Sequence, residues 1–250
     1  MTYCKNKGTR DEQFEYCLFP EYMCESYTRK NKSKDYPDPF HLSRLNGINI
    51  SAPYDMPNVG GYYGRIPNSL SSFIETRSLT NRGLLCQSYT HFFIEDSHFM
   101  CLSNEPDKYV DMFLSCGGLI GPDYSVKIGM PYSIKLNNIF TNKVLTCFYQ
   151  NKGIPVIPNI VWAEPRIYDV CFSGFPSHSI VAVNSMGIIG DRDAVYFWRK
   201  GYDEMLVRLE PLHIIRYGDK IYGELESIST YYPNNHINRS YYKDFIKKVF

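Results

Sequence analysis

The sequence predicts an α/β fold: consecutive βα units forming a mainly parallel sheet or partial barrel, with an irregular N-terminal region. Three observations carry this. Short apolar runs that end in polar residues recur between about Thr90 and Gly218, helix-like stretches separate them, and the runs are apolar on both faces, as strands covered by helices on both sides must be. Crossovers between parallel strands are right-handed, so consecutive strand ends should line one edge, where such folds place their ligands.

Taken in order, residues 1 to about 40 are polar and Tyr-rich, and Gly, Pro and Asn punctuate Asn46 to Ser69, which reads as docked, irregular structure. Leu70 to Leu79 fits a short helix or a strand equally. Five strands are expected, at His91–Asp96, Gly118–Asp123, Ile154–Asn159, Ile180–Ser185 and Leu212–Tyr217. A first helix is expected from Asn104, a capping residue followed by Pro106 in the first turn, to Gly117-Gly118. Tyr109, Val110, Phe113 and Leu114 would share its buried face. A second opens at Pro131, carries Ile134, Ile139, Val144, Leu145 and Phe148 on one side, and stops before Gly153. The third is capped by Asp191 or Asp193 and ended by Pro211, with Val195, Trp198, Tyr202, Met205, Leu206 and Leu209 as its core stripe. The expected division is 1–87 as an irregular region packed on the main domain, 88–224 as the βα-repeat domain, and 225–250 as an aromatic, basic tail.

Composition narrows the function classes. A formal net charge of +1 gives no overall field for polyanion binding. Two local clusters remain, Arg29, Lys30, Lys32 and Lys34, and Arg239, Lys243, Lys247 and Lys248; either could meet phosphate or simply be solvated. No run approaches the ~20 apolar residues of a membrane span, and the N-terminus has no apolar signal core, so no membrane association and a cytoplasmic location are expected. Eight cysteines in a chain of this length, without an export signal, read as free thiols, several of them buried as small hydrophobes. The three glycosylation sequons are then chance matches.

Several motifs occur in a distinctive order. Gln150-Asn-Lys-Gly-Ile-Pro-Val-Ile-Pro-Asn-Ile-Val-Trp162 is accompanied by Pro122-Asp-Tyr-Ser125, Gly174-Phe-Pro176 with Ser179, Ser185-Met-Gly187, Gly201-Tyr-Asp-Glu-Met205, Leu209-Glu-Pro211 and Tyr217-Gly218. Over about Ser88 to Glu224 the chain resembles the bacterial and phage family known as domain of unknown function 4417. The resemblance implies a setting on phages, prophages or plasmids and no particular chemistry, because that family has no assigned activity.

The polar residues that follow the five apolar runs are Asp96, Asp123, Asn159, Asn184, Ser185 and Asp219. Gathered at one edge, Asp96 and Asp123 could hold Mg²⁺ for phosphoryl or phosphodiester chemistry, or move protons themselves. The competing reading makes both of them turn caps, an ordinary use of Asp. On the functional reading His98 joins them as a catalytic candidate, while Ser125, Asn159, Asn184 and Ser185 bind substrate and Trp162 walls the pocket.

Neither serine lies in a nucleophile elbow, and His91, His178 and His213 are scattered, with His213 inside an apolar strand. Cys4, Cys17, Cys24 and His41 suit zinc in type but not in spacing. Neither a dinucleotide fingerprint nor a phosphate loop is present. The tail interleaves Tyr231, Tyr232, Tyr241, Tyr242 and Phe245 with its lysines. It suits base stacking, or an amphipathic face of Tyr242, Phe245, Ile246 and Val249 docked on the domain. The expectation is a site at the carboxyl ends of the strands, acting on a phosphate-containing substrate. The alternative is a non-catalytic accessory module that binds nucleic acid or a replication or host protein.

Overall fold

The computed structural model describes residues 42–84 and 86–234. The Cys4, Cys17, Cys24 and His41 group, both basic clusters and the tail beyond Asn234 lie outside the described residues. A short antiparallel pair, β1 (Ile50–Ser51) and β2 (Met56–Pro57), precedes the main sheet. Seven strands then follow in chain order: β3 (Leu70–Ser72), β4 (Tyr89–His91), β5 (Gly118–Ile120), β6 (Val156–Ile157), β7 (Ile180–Asn184), β8 (His213–Tyr217) and β9 (Ser229–Tyr232). They form two parallel ladders, β3-β4-β5-β6 and β7-β8-β9. A parallel bridge between Asn159 and Ala182 joins the two.

The helices fill the crossovers. They are α1 (Phe73–Asn81), α2 (Cys101–Asn104), α3 (Val110–Leu114), α4 (Tyr132–Asn151), α5 (Tyr168–Phe172) and α6 (Arg192–Leu209). Residues Leu70 to Leu79 therefore contain both a strand and a helix, and Ser72 makes the switch. Its hydroxyl accepts from the Glu75 N–H at 3.3 Å, and the Glu75 carboxylate accepts from the Ser72 N–H at 3.0 Å. At the start of α6 the Asp191 carboxylate accepts from the N–H groups of Asp193 and Ala194. At its end Glu210 turns left-handed, with φ at 42°.

The period of two along the strands gives the two ladders a shared interior, a partial barrel in which β3 and β9 form no ladder with one another. Leu70, Tyr89, Ile120, Ile157, Ile180, Ala182, Ile215, Tyr217 and Tyr232, from all seven strands, meet with Phe93 in one interior cluster. Their neighbours point outward. Phe92, Leu119 and Val156 pack under α1 to α4 with Phe73, Phe113 and Tyr149, whereas Val181, Val183 and Ile214 pack under α5 and α6 with Phe172, Tyr202 and Met205. The His91 ring lies 4.4 Å from that of Tyr217 across the interior. At the seam between β3 and β9 the Tyr232 hydroxyl donates to the carbonyl of Pro67. Tyr62, from the N-terminal segment, plugs the opposite end, where its carbonyl accepts from the Ile180 N–H and its hydroxyl meets that of Tyr89 at 2.6 Å.

Several expectations change. The sheets take their first strand, β3, from before residue 88 and their last, β9, from after 224. The helix expected from Asn104 is broken: Asn104 ends α2 rather than capping a helix, and Pro106–Tyr109 forms a 3₁₀ turn before α3. That break rotates the phase, leaving Phe113 buried and Leu114 exposed. On α4, Ile134 is exposed while Lys135 and Lys143 are buried. The Lys135 ammonium is held by both oxygens of Glu164, and Lys143 donates to the carbonyls of Val170 and Ser173 at the end of α5. The five described cysteines are free, as expected. His213 bonds the Thr230 hydroxyl at 2.8 Å, in keeping with a hydrogen-bonded strand residue. No helix among the described residues is long and apolar enough to cross a membrane.

Arg216 points outward from β8 and is buried with Glu224, which it meets at 2.6 and 2.8 Å; it also donates to the carbonyls of Tyr217 and Asp219. Removing one member of such a pair strands the other's charge. Arg216→Met should therefore cost about 3–5 kcal/mol in urea unfolding, and Arg216→Met with Glu224→Leu should recover most of that loss. Equal losses in the single and double variants would show that the pair contributes nothing beyond packing.

Candidate functional site

The carboxyl ends of β4, β5, β6 and β7 line a cavity of about 700 Å³. Phe93, Glu95 and Asp96 come from the β4 end, Asp123, Ser125 and Lys127 from the β5 end, Ile160 and Trp162 from the β6 end, and Asn184, Met186 and Ile188 from the β7 end; Trp198 comes from α6. Placement at this end follows from the parallel topology, which gives every strand the same exit.

Asp123 is the centre of the arrangement. Its Oδ1 accepts from Asn159 Nδ2 at 2.8 Å and its Oδ2 from Asn184 Nδ2 at 3.0 Å, so one carboxylate ties together the ends of β5, β6 and β7. The amide of Asn184 is oriented by its own oxygen, which accepts from the Met186 N–H at 3.1 Å. Burial raises the Asp123 carboxyl from its ordinary 3.8 to about 7, and the nearby Asp96 pushes the same way; the two amide donors pull back only in part.

Asp96 is held differently. Its two oxygens accept from the backbone N–H and the hydroxyl of Ser125, at 3.1 and 2.9 Å. It anchors the loop after β5, and α4 holds the same loop from beneath. Asn138 donates to the Ser125 carbonyl at 2.7 Å, and Asn142 exchanges two hydrogen bonds with the backbone of Tyr124. Both contacts reach a loop 29 residues away rather than Asp96's own turn, and the residue also lines the cavity.

The tryptophans form a wall. Trp162 Nε1 donates to the Trp198 carbonyl at 3.1 Å and Trp198 Nε1 to the Asn184 carbonyl at 2.8 Å, with the two rings 5.6 Å apart. Trp162 lies so close to α6 that a Cβ on Gly201 would sit 2.0 Å from its ring. Guanidinium and ring stacking brace Trp198 from behind, through Arg216 at 4.8 Å and Tyr202 at 5.2 Å.

Of the residues singled out from the sequence, Asp96, Asp123, Ser125, Trp162 and Asn184 line this cavity, and Asn159 touches it through Asp123. His98 is exposed and does not line it. Ser185 is buried, with its hydroxyl donating to the Asp219 carbonyl at 2.6 Å, so it secures a turn rather than facing a ligand. Among the described residues no group of three or more His, Cys, Asp or Glu side chains is placed to hold a metal ion. The sequence reading missed Phe93, Lys127, Met186 and Trp198 as lining residues. Trp198 in particular sits on the stripe expected to be pure core.

Strands and cavity define a parallel α/β protein of partial-barrel form with a ligand-sized hollow at the carboxyl ends of β4 to β7. The chain belongs to the family described as "Domain of unknown function (DUF4417)", which matches residues 48–231. It is similar to the "Gene 1 protein" of Mycobacterium phage L5, 34% identical over 128 residues, which is 51% of this chain and 56% of that protein. The "Gene 1 protein" of Mycobacterium phage D29 is 31% identical over 128 residues, covering 51% of this chain and 47% of its own length. The chain thus spans about half the length of these phage relatives. No solved structure matches it.

Two outcomes follow from this geometry. A carboxyl raised to about 7 binds a proton in the folded state that it has lost in the unfolded state between pH 3.8 and 7. Its contribution to stability is therefore complete below pH 3.8 and lost as pH rises through about 7. Asp123→Asn should flatten the pH dependence of unfolding free energy in that window, and an unchanged slope would contradict the raised value. Gly201→Ala gains about 1 kcal/mol of helix propensity. It must also displace Trp162 and break its bond to Trp198, so a net loss of roughly 1–3 kcal/mol is expected, with a shift in tryptophan emission.

Proposed function

We propose that the cavity binds a small polar molecule and that Asp123 transfers a proton to or from it. The observation that carries this reading is a carboxyl near pKa 7, fixed by two amides, on the wall of a concave site of ligand size. A group with a pKa near the working pH is present in both protonation states and serves as acid or base with the least loss. Asn159 and Asn184 are then positioning residues for Asp123, Ser125 positions Asp96, and Trp162 with Trp198 supplies a flat apolar wall.

The lining also bears on the substrate. Among the described residues its charged members are Glu95, Asp96 and Asp123 against Lys127, with no arginine or histidine. That field favours a neutral or cationic molecule over a free phosphate. A phosphate-containing substrate would need a cation such as Mg²⁺, for which Asp96 and Asp123 supply a pair of carboxylates. All four of those oxygens already accept hydrogen bonds, which favours direct proton transfer over metal ligation. The accessory nucleic-acid- or protein-binding reading draws on the terminal segments outside the described residues.

Titration of the Asp123 carboxyl by ¹³C NMR, assigned with Asp123→Asn, should give a midpoint near 7. A midpoint below 5 would remove the basis for acid–base chemistry. Asn184→Ala should raise the midpoint further, by about one unit for the loss of one hydrogen bond to the charged form. Added Mg²⁺ should leave it in place; a fall of about a unit or more would identify a metal site instead. Neutral and cationic metabolites that bind the native protein by ligand-observed NMR should lose binding in Asp123→Asn.

A further inference from the structure

Two thiols come together at the amino ends of β4 and β5, away from the cavity at their carboxyl ends. Cys86 lies between α1 and β4, and Cys116 between α3 and β5. The strands pair in parallel with Tyr89 opposite Gly118, so the two cysteines enter neighbouring strands within one position of register. The Gly117 N–H donates to the Ser88 carbonyl at 3.3 Å, which carries the pairing back toward them. Parallel neighbours run roughly 4.8 Å apart, and a disulfide spans Cα atoms about 4.4–6.8 Å apart.

Their side chains share one polar cluster. The Cys86 thiol hydrogen-bonds that of Cys116. Two threonines hold the sulfurs in place. The Thr76 hydroxyl, from α1, lies 3.8 Å from Cys86 Sγ, the Thr90 hydroxyl, from β4, donates to Cys116 Sγ at 3.9 Å, and the two hydroxyls meet at 2.9 Å. Cys116 Sγ also donates to the carbonyl of Met112 at 3.2 Å. Other described cysteines have other neighbours: Cys147 donates to the carbonyl of Asn58, and Cys101 bonds the Tyr109 hydroxyl. Cys86 is 3% exposed whereas Cys116 is half-buried, so a reagent reaches Cys116 first. Burial pushes the Cys116 thiol up to about 11, which makes reaction through its thiolate slow at neutral pH.

We propose that Cys86 and Cys116 form a site of oxidative modification, a pair that closes to a disulfide and staples the α1–β4 connection to the α3–β5 turn. A small-molecule disulfide such as oxidised glutathione is the electron acceptor. Cys116 gives its proton to solvent, its thiolate attacks one glutathione sulfur, and the other glutathione leaves as a thiolate. Cys86, deprotonated in turn, attacks Cys116 Sγ and displaces the second glutathione. The two cysteines lose two electrons and two protons, and the glutathione disulfide is reduced to two thiols. The inference is independent of Asp123, which lies beyond the other end of β5.

The full chain, incubated with oxidised glutathione at about pH 8, then alkylated and digested without reduction, should yield the Cys86 and Cys116 peptides joined, lighter than their sum by two hydrogens. Closing a loop of about 30 residues should raise the melting temperature by roughly 5–10 °C, and dithiothreitol should reverse the rise. The rate should climb about tenfold per pH unit around neutrality, because the thiolate is the scarce species. Cys86→Ser should stop with one glutathione on Cys116, and Cys116→Ser should leave Cys86 unmodified over the same time. Circular dichroism establishes that both reduced variants are folded, and the joined peptide of the native chain decides the pairing without them. Absence of that peptide, or either cysteine joined to a different one, overturns the proposal. So does a joined pair that lowers the melting temperature, since the bond would then strain the fold instead of stapling it.

Discussion

Among the described residues the two ladders are joined by an isolated parallel bridge between Asn159 and Ala182. Between β6 and β7 the backbone contributes a bridge, with Ile160 N–H donating to Ala182 O at 2.9 Å and Ala182 N–H to Pro158 O at 2.8 Å. The reason lies in the sequence of β6: Pro155 and Pro158 flank Val156 and Ile157 and have no N–H to give, so a longer ladder cannot form. Asp123 supplies what the backbone lacks. By accepting from Asn159 beyond β6 and Asn184 at the end of β7, its carboxylate closes the joint from the β5 side. Fold and candidate site therefore share one group.

That double duty explains its chemistry. A carboxylate used as a staple must lie inside the joint, where it is stripped of water, and stripping raises its pKa. Amide donors oppose the rise through dipoles, which in a desolvated site offset a full charge only partly. An arginine in their place would have held the carboxyl ionised throughout the neutral range. The choice of two asparagines is what leaves Asp123 near neutrality. Arg216 and Glu224 show the contrasting solution on the outer face of the same barrel, a full charge pair braced by carbonyls and by Trp198.

The parts of this arrangement legible in the sequence were those set by local pattern. β7 and β8 follow from Ile180–Asn184 and His213–Tyr217, because β-branched runs of that length have one consistent reading, and α6 follows from its Asp191 cap and long apolar stripe. The gathering of Asp96, Asp123, Asn159 and Asn184 followed from strand direction alone. What escaped was set by distant partners. β3 and β9 are three and four residues long and are strands only because β4 and β8 lie beside them. Lys135 and Lys143 are buried on α4 because Glu164 and the end of α5 provide their acceptors. Ser185 follows a strand exactly as its neighbours do, yet the carbonyl of Asp219 claims its hydroxyl, which no spacing rule foretells.

The extent of the folding unit can be argued from the seam. Were the barrel cut at residue 224, β9 would be lost, and with it Tyr232, which fills the interior beside Tyr217 and reaches Pro67 ahead of β3. Were it begun at residue 88, β3 and α1 would go, leaving Phe92 and Phe113 without Phe73. Either cut exposes apolar surface on both sides of a sheet edge, an arrangement that favours pairing with other chains. The family match over residues 48–231 spans β1 through nearly all of β9 and so agrees with the unit that the packing requires. Tyr62 lies within the same span, which makes the N-terminal plug part of that unit rather than an appendage.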